Sequence, residues 1–520
     1  MKGLSTHTIE NLEVLLRKAN GGDVEAQVEL GLYYDDDGVN QNYTEAAHWF
    51  LKAANQGNVH SQHYLSIMNL YGQGMPKNET EALNWCIKAA NNGHGQAMYD
   101  LGVIYEYGDT EDWITKAAHQ GFAFAETDLG ANYKLGKGVP QSDTEAAKWF
   151  LRAAQQGHPE AQYSLKLMYE NGEGVQQSDS EAANWCIKAA HQGVVEAQYD
   201  LGFIYFRGKG VPQSDTEGIN WFTEAANQGY ADAQLQLAIA FDLGDVIDQN
   251  DTDAANWFFR AAEQGQKDAQ SHLGFMYVDG RGVQQSNTKA ADWFLKAANQ
   301  GVVQAQYSIG LMYIHGNGVS QDYSEAEKWL IQASQQGYAR AQYNLGLMYI
   351  YGNIPQNYIE AVKWLTQAAL KELADAQYDL GMMYRRGDGV PQNHNEAASW
   401  FLKSANQGYA KAQDTIGVMY ERGEGVLQND TEAAEWYLKA ASQGNASGQF
   451  NIGARYLTGA GLPKDYTEAA FWFLKAAHQG HVQAQENIGL MFERGDGVPQ
   501  NDDEANNWYQ KAASQACGGV

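Results

Sequence analysis

The sequence predicts an all-α fold, a solenoid of about fourteen stacked αα-hairpins, from a repeat, a helical periodicity within it, and turn signals that recur in register. All fourteen tryptophans share one register: Trp49, Trp85, Trp113, Trp149, Trp185, Trp221, Trp257, Trp293, Trp329, Trp364, Trp400, Trp436, Trp472 and Trp508. Eleven of the thirteen intervals are 36 residues long. Self-similarity at such a period marks stacked supersecondary units, each touching only its neighbours.

Residues 157–192 show the unit. Ala161, Leu165, Met168 and Tyr169 fall on one face of an amphipathic helix, here helix A, and Ala182, Trp185, Ala189 and Ala190 do the same for helix B. Between them Gly172 and Gly174 permit positive φ and end helix A, while Val175 turns back into the core. Ser178 and Glu181 then read as a capping box, the serine oxygen taking an orphan helix N–H and the glutamate returning to the cap residue. Ser142 with Glu145, Ser214 with Glu217, Asn429 with Glu432 and Asp465 with Glu468 repeat the pattern.

Helix A often carries an interior glycine, among them Gly202, Gly274 and Gly381. Each costs about 1 kcal/mol of helix propensity relative to alanine. That cost implies a neighbouring helix in close approach, and the tryptophan of helix B is the expected occupant of the space. A glutamine occupies the same early position of helix A in twelve of fourteen units, usually after an alanine, for example Gln162, Gln198, Gln306 and Gln342. It is expected to hydrogen-bond along the stack or to the backbone between units.

Units begin at 22, 57, 93, 121, 157, 193, 229, 265, 301, 337, 372, 408, 444 and 480. Residues 1–21 are expected to supply a capping helix, 22–515 the fourteen repeats, and 516–520 a loose tail. In the last helix B, Gln510 replaces the aliphatic residue seen at Leu438 and Leu474, and Asn506 replaces an alanine, as the polar face of a terminal repeat requires. Unit 93–120 is eight residues short, keeping only Gly108 and four residues before Trp113, and is the expected break in the stacking. Unit 229 has Val246 at its second loop glycine, and unit 337 has Asn353-Ile354-Pro355 in a shortened loop.

Thirty-five Lys and Arg against 63 Asp and Glu give a formal charge of −28, which opposes binding to nucleic acid or anionic membranes. No stretch is apolar enough to insert into a membrane, and the N-terminus lacks the pattern of a Sec signal. Cys86, Cys186 and Cys517 lie too far apart to staple individual repeats, so a reducing cytoplasm is expected, with export by a non-Sec route left open; the chain is also expected to be a monomer. The Gly-x-Gly segments follow helices and fail the dinucleotide-binding context. His60 and His63 lack a third metal ligand, and Asp35-Asp36-Asp37-Gly38 lacks the alternation of a calcium loop. No catalytic residue, metal ligand or cofactor is therefore assigned.

The string Ala197-x3-Leu201-Gly202-x2-Tyr205-x2-Gly208-x-Gly210-Val211, followed by Trp221 and Ala225-Ala226-Asn227-Gln228-Gly229, resembles the Sel1-like repeat family, relatives of the tetratricopeptide repeat with a longer inter-helix loop. The resemblance implies a right-handed superhelix that scaffolds protein complexes, with the A helices lining a concave face. Carried onto the unit at 193, it points Glu196, Tyr199, Phe203, Phe206 and Arg207 inward. Tyr163, Tyr199, Tyr307, Tyr343 and Tyr378 share one such position, and aromatic rings with a polar tip suit peptide contact. The alternative is that they pack against the next helix A.

Arg340, Arg385, Arg386, Lys411 and Arg422 cluster over three units and could receive a partner's carboxylates or C-terminus. Alternatively, Arg386 and Arg422 pair with loop acids such as Asp388 and Glu424. The expected function is a non-enzymatic protein–protein interaction scaffold or adaptor that binds a peptide or partner domain on the concave face. Two further expectations rest on the resemblance: a secreted-type β-lactam-binding hydrolase, whose cysteine pairs this chain lacks, and an exported adaptor acting on cell-envelope or host proteins.

Overall fold

The computed structural model describes residues 9–36, 41–104 and 110–517. Among the described residues there are 29 helices and no strand. A lone helix, Ile9–Asn20, precedes fourteen A helices that alternate with fourteen B helices. In the repeat at 157 these are Pro159–Asn171 and Asp179–His191. The chain divides into two compact units, residues 1–250 and 251–520. Within each, every helix packs on its neighbours in sequence, so each unit is a run of α-solenoid.

The tryptophans explain the stacking. Nine are buried and five half-buried. Trp185 shares a core with Ala146, Phe150 and Ala153 of the preceding helix B and with Leu165 and Met168 of its own helix A. Trp400 and Trp436 are placed in the same way. An indole burying about 200 Å² at about 25 cal/mol per Å² contributes a few kcal/mol to holding one hairpin on the next. In eleven repeats the third residue after the tryptophan is a Lys or Arg whose cation lies 3.7–4.8 Å from the ring centre. Its aliphatic stem covers the outer side of the indole while the charge stays in water.

The space over the helix-A glycine is not filled by tryptophan. A Cβ on Gly274 would stand 2.6 Å from the ring of Phe294, and one on Gly381 would stand 2.8 Å from Phe401. The occupant is the residue after the tryptophan. Successive helical positions are about 100° apart, so when the indole faces the preceding hairpin the next side chain faces its own helix A. Two repeats in which the glycine is replaced, by Ser66 and Lys166, carry Cys86 and Cys186 instead of a large occupant. Both thiols are buried and unpaired, and they donate to the Ala97 and Ala197 carbonyls at 3.5 and 3.2 Å. Burial pushes them up to about 11 and about 12, which makes them packing groups and poor nucleophiles.

Helix B starts where the serines and acids predict, but only half of the capping box forms. Ser178 Oγ accepts the Glu181 N–H at 3.3 Å. The Ser178 N–H, however, donates to the Tyr169 carbonyl at 3.0 Å, and the same bond joins Ser142 to Tyr133, Ser214 to Tyr205, Asn429 to Tyr420 and Asp465 to Tyr456. The loop folds back over the end of helix A, and a backbone acceptor already in reach displaces a carboxylate that would have to leave water. Gly174 has a second role besides its positive φ: a Cβ there would overlap the Asp143 carbonyl in the first turn of the preceding helix B. Val175 joins the core as expected, and Ile354 in the shortened loop is buried in one as well.

The glutamines form a ladder that recurs through most repeats. Gln162 Nε2 donates to the Ala154 carbonyl at 3.2 Å, and its Oε1 accepts from Gln192 Nε2 at 2.7 Å. Gln198, Gln413 and Gln449 repeat both bonds. Each rung satisfies a last-turn carbonyl of the preceding helix B, a group that no intrahelical donor reaches.

The shortened repeat does not interrupt the stack. Its helices are Gly95–Ile104 and Thr110–His119, and residues 105–109, with Gly108, lie outside the described residues. Cys86 and Ala89 before it, Ala97, Leu101, Ala117 and Ala118 within it, and Leu129 after it share one core. The eight lost residues come from the loop and the first turn of helix B, which carry little of that core. In the last helix B Asn506 and Gln510 are exposed. The final helix runs Asp502–Cys517, so the expected tail starts within it, and 518–520 lie outside the described residues. The aspartate run at 35–38 is likewise described only as far as Asp36.

Candidate functional site

Tyr163, Tyr199, Tyr307, Tyr343 and Tyr378 are all half-buried. Tyr163 donates to Asp200 Oδ2 at 3.0 Å and Tyr343 to Asp379 Oδ2 at 2.9 Å, while Tyr307 Oη accepts from Asn344 Nδ2 at 3.0 Å. Each partner sits on the next helix A, two residues after its ladder glutamine, so the tyrosines stitch successive A helices together. Tyr199 packs against Phe203, Phe222 and Tyr230, and Tyr378 against Phe401 and Tyr409. Burial, reinforced by Asp232, raises Tyr199 to about 12, and burial with a bonded carboxylate holds Tyr163 and Tyr343 well above the usual phenol value. Tyr163, Tyr199 and Tyr343 therefore stay neutral, and all five rings remain partly exposed.

The arginines divide. Arg385 grips Glu424 through Nε and Nη2 at 2.8 and 2.9 Å, and His394 Nδ1 lies 2.9 Å from the same carboxylate. The Arg385 bond, with its charge, holds Glu424 below the usual carboxylate range. Glu424 is thus claimed by Arg385 and not by Arg386 or Arg422. Arg340, Arg386, Lys411 and Arg422 are exposed and make no ion pair among the described residues. Tyr163 and Tyr199 belong to the first unit, whereas the other three tyrosines and the arginines belong to the second.

One cleft brings predicted and unpredicted residues together. It has a volume of about 350 Å³ and lies between Pro159–Asn171 and Val195–Arg207, lined by Tyr163, Lys166, Leu167 and Glu170, by Asp200, Phe203, Ile204 and Arg207, and by Lys209 of the next loop. In this repeat Lys166 and Cys186 stand where most others carry glycine and a large apolar residue. Lys166 is 3% exposed, with Nζ 2.6 Å from Asp200 and 2.8 Å from Glu170. Burial works against its charge, but the bonds to Asp200 and Glu170 hold its pKa above the usual lysine value. The Arg207 guanidinium lies 5.4 Å from the Phe203 ring centre and pairs with no acid among the described residues. Lys209 reaches Asp179 only at 3.8 Å. The cleft thus offers apolar walls, a fixed polar floor and two rim cations.

Sequence reasoning places Tyr163, Phe203 and Arg207 on this face but misses Lys166, Glu170 and Asp200. The signal available for them is Lys166 itself, a charge at a position that packing otherwise keeps empty.

His60 and His63 gain a neighbour: His94 Nε2 lies 3.2 Å from His60 Nδ1, and His63 Nε2 pairs with Asp100 at 2.7 Å. His63 occupies the tyrosine position and bonds as Tyr163 does. Among the described residues no three or more His, Cys, Asp or Glu are arranged to hold a metal ion. Nor is any helix among them long and apolar enough to cross a membrane.

The Sel1 repeat family matches fourteen segments running from 24–58 to 482–517. Among solved structures, a protective antigen present in uropathogenic Escherichia coli strains and displaying an SLR fold is 36% identical, with a TM-score of 0.72, over 78% of this chain and 86% of that one. A Sel1 repeat protein from Oxalobacter formigenes is 33% identical, with a TM-score of 0.48, over 62% of this chain and 93% of that one. None of the curated proteins matches. With fourteen matched repeats over nearly the whole sequence, most of them built on the same indole, glycine and glutamine contacts, the chain belongs to the Sel1 repeat family.

Proposed function

We propose that this chain is a non-enzymatic scaffold that holds a peptide or partner domain against its A helices, with the Lys166 cleft as a principal contact. Sel1 repeat proteins generally mediate protein–protein interaction. The observation that carries the reading is Lys166. A buried ion pair is seldom more stabilising than the apolar packing it replaces, so the Lys166 and Cys186 pairing is explained by the cleft it opens. Phe203, Ile204 and Leu167 suit the apolar stem of a partner residue, and Arg207 and Lys209 suit a carboxylate at its end, from an acidic side chain or a C-terminus. In the second unit Tyr307, Tyr343 and Tyr378 with Arg340, Arg386 and Arg422 offer the same chemistry in extended form, and Arg385 contributes by fixing Glu424. The unpaired buried thiols of Cys86 and Cys186 suit a reducing cytoplasm.

The test is affinity capture from native lysate by the parent chain and by the Arg207→Glu/Lys209→Glu variant. Loss of the captured partners with an unchanged melting profile is expected. Undiminished capture would count against the cleft.

A further inference from the structure

We propose that a second cleft, where the repeats at 301 and 337 meet, binds a primary carboxamide supplied from outside the chain. One repeat earlier the glutamine ladder is complete. Gln306 Nε2 donates to the Ala298 carbonyl at 3.2 Å and to Gln332 Oε1 at 3.1 Å, and its Oε1 accepts from Gln336 Nε2 at 2.8 Å. The Gln336 carboxamide also donates to the Gly301 carbonyl at 3.2 Å.

At Gln342 the first two bonds recur, to the Ser334 carbonyl and to Gln367 Oε1, each at 3.0 Å. The third cannot. The residue equivalent to Gln336 is Lys371, and its ammonium donates to the Gly337 carbonyl. Gln342 Oε1 is left without a donor although the residue is only 2% exposed, and Ser334 Oγ, on a residue 1% exposed, is also unpartnered. Both residues line an open cleft of about 470 Å³ whose other walls include Trp364, Gln367, Leu370 and Lys371.

An acceptor this deeply buried is costly to leave unmade, and other junctions of the ladder show what satisfies it: a carboxamide N–H. The same group entering from solvent would donate to Gln342 Oε1 and accept from the Ser334 hydroxyl, with its methylenes against Trp364 and Leu370. A carboxylate brings no donor, and a cation would have to sit beside the Lys371 ammonium. Gln485 Oε1 also lacks a partner, but there Gln515 fills the position, its carboxamide lying over Gly480.

The Trp364 indole N–H resonance, assigned with Trp364→Phe, reports on the cleft in the full chain. Free glutamine and the tripeptide Ala-Gln-Ala are titrated beside free glutamate and Ala-Glu-Ala. A saturable shift with a glutamine probe, absent with its glutamate counterpart, is expected. If free glutamine gives it the source is a small metabolite, and if only the tripeptide does it is a protein side chain. Lys371→Gln restores the rung in cis, so it should melt no lower than the parent and abolish the shift, whereas Lys371→Met should retain it. No saturable shift with either glutamine probe, an equal shift with glutamate, or a shift that survives in K371Q would overturn the proposal.

Discussion

Phe294 covers Gly274 so closely that a Cβ on the glycine would stand 2.6 Å from the phenyl ring. The same relationship, glycine on helix A beneath the residue after the tryptophan, closes hairpin after hairpin. It explains why a helix accepts a glycine that costs about 1 kcal/mol: the ring gains a flat backbone surface to lie on.

Gly274→Ala should therefore destabilise despite its better helix propensity. Overpacking of this kind costs about 1–3 kcal/mol, against about 1 kcal/mol regained from propensity, so a net loss is expected in the urea midpoint. Adding Phe294→Cys, which copies the Cys186 arrangement, should relieve the clash. The double variant should then be more stable than the sum of the two single effects predicts. Simple additivity would contradict the assigned contact.

The repeat was legible because each hairpin has to bury an indole, and that requirement leaves an unmistakable mark every 36 residues. What sits on the glycine was not legible. Periodicity assigns a face, but Trp293 and Phe294 are adjacent, and only packing decides which turns to the preceding hairpin. The missing half of the capping box has a similar cause, since spacing cannot reveal that the loop brings the Tyr169 carbonyl to Ser178. The Lys166 cleft and the orphaned Gln342 are departures shared by two distant positions, Lys166 with Cys186 and Gln342 with Lys371. They emerge only when repeats are compared at both positions together.

Lys166→Met tests how the cleft is held. Removing the ammonium leaves Asp200 and Glu170 without their shared cation, and because both acids are partly exposed the loss should be modest, about 1–2 kcal/mol at neutral pH. The folded-state pKa of Lys166 lies above its ordinary value. Its contribution is therefore complete below the unfolded value of about 10.4 and fades as pH rises through the folded one. Urea midpoints of parent and variant should differ at pH 7 and converge in strong alkali. A gap that persists there would show that methionine harms packing alone.

Tyr307→Ala, Tyr343→Ala and Tyr378→Ala in one chain test the extended row of the second unit. Each removes a ring from between A helices, and the first two also break a hydrogen bond to the next repeat. Melting should drop by several degrees without loss of helical circular dichroism, and partner capture should weaken in proportion to the exposed ring edges removed. Undiminished capture would confine these tyrosines to packing.

Glu126 occupies a ladder position and is fully buried. Its Oε2 accepts from Gln156 Nε2 at 2.6 Å, as a ladder glutamine would, and its Oε1 lies 2.9 Å from Arg152 Nη2. Ionised, it cannot donate to the Ala118 carbonyl, the bond that ladder glutamines make to the preceding helix B. Burial raises its pKa, with Arg152 and Gln156 opposing. Between the ordinary glutamate value of about 4.3 and the raised one, the folded chain binds more protons than the unfolded chain. Stability consequently falls as pH rises through that window and stays lower above it. Glu126→Gln supplies the missing donor at every pH, and Arg152, half exposed, loses little by returning to water. The variant should be more stable than the parent at pH 7 by about 1 kcal/mol, with the gain shrinking as pH falls towards 4 and the parent's own carboxyl takes up the proton that makes it a donor. Calorimetry of both chains across that range decides the point: an advantage that does not change with pH would mean that the rung is not what Glu126 lacks.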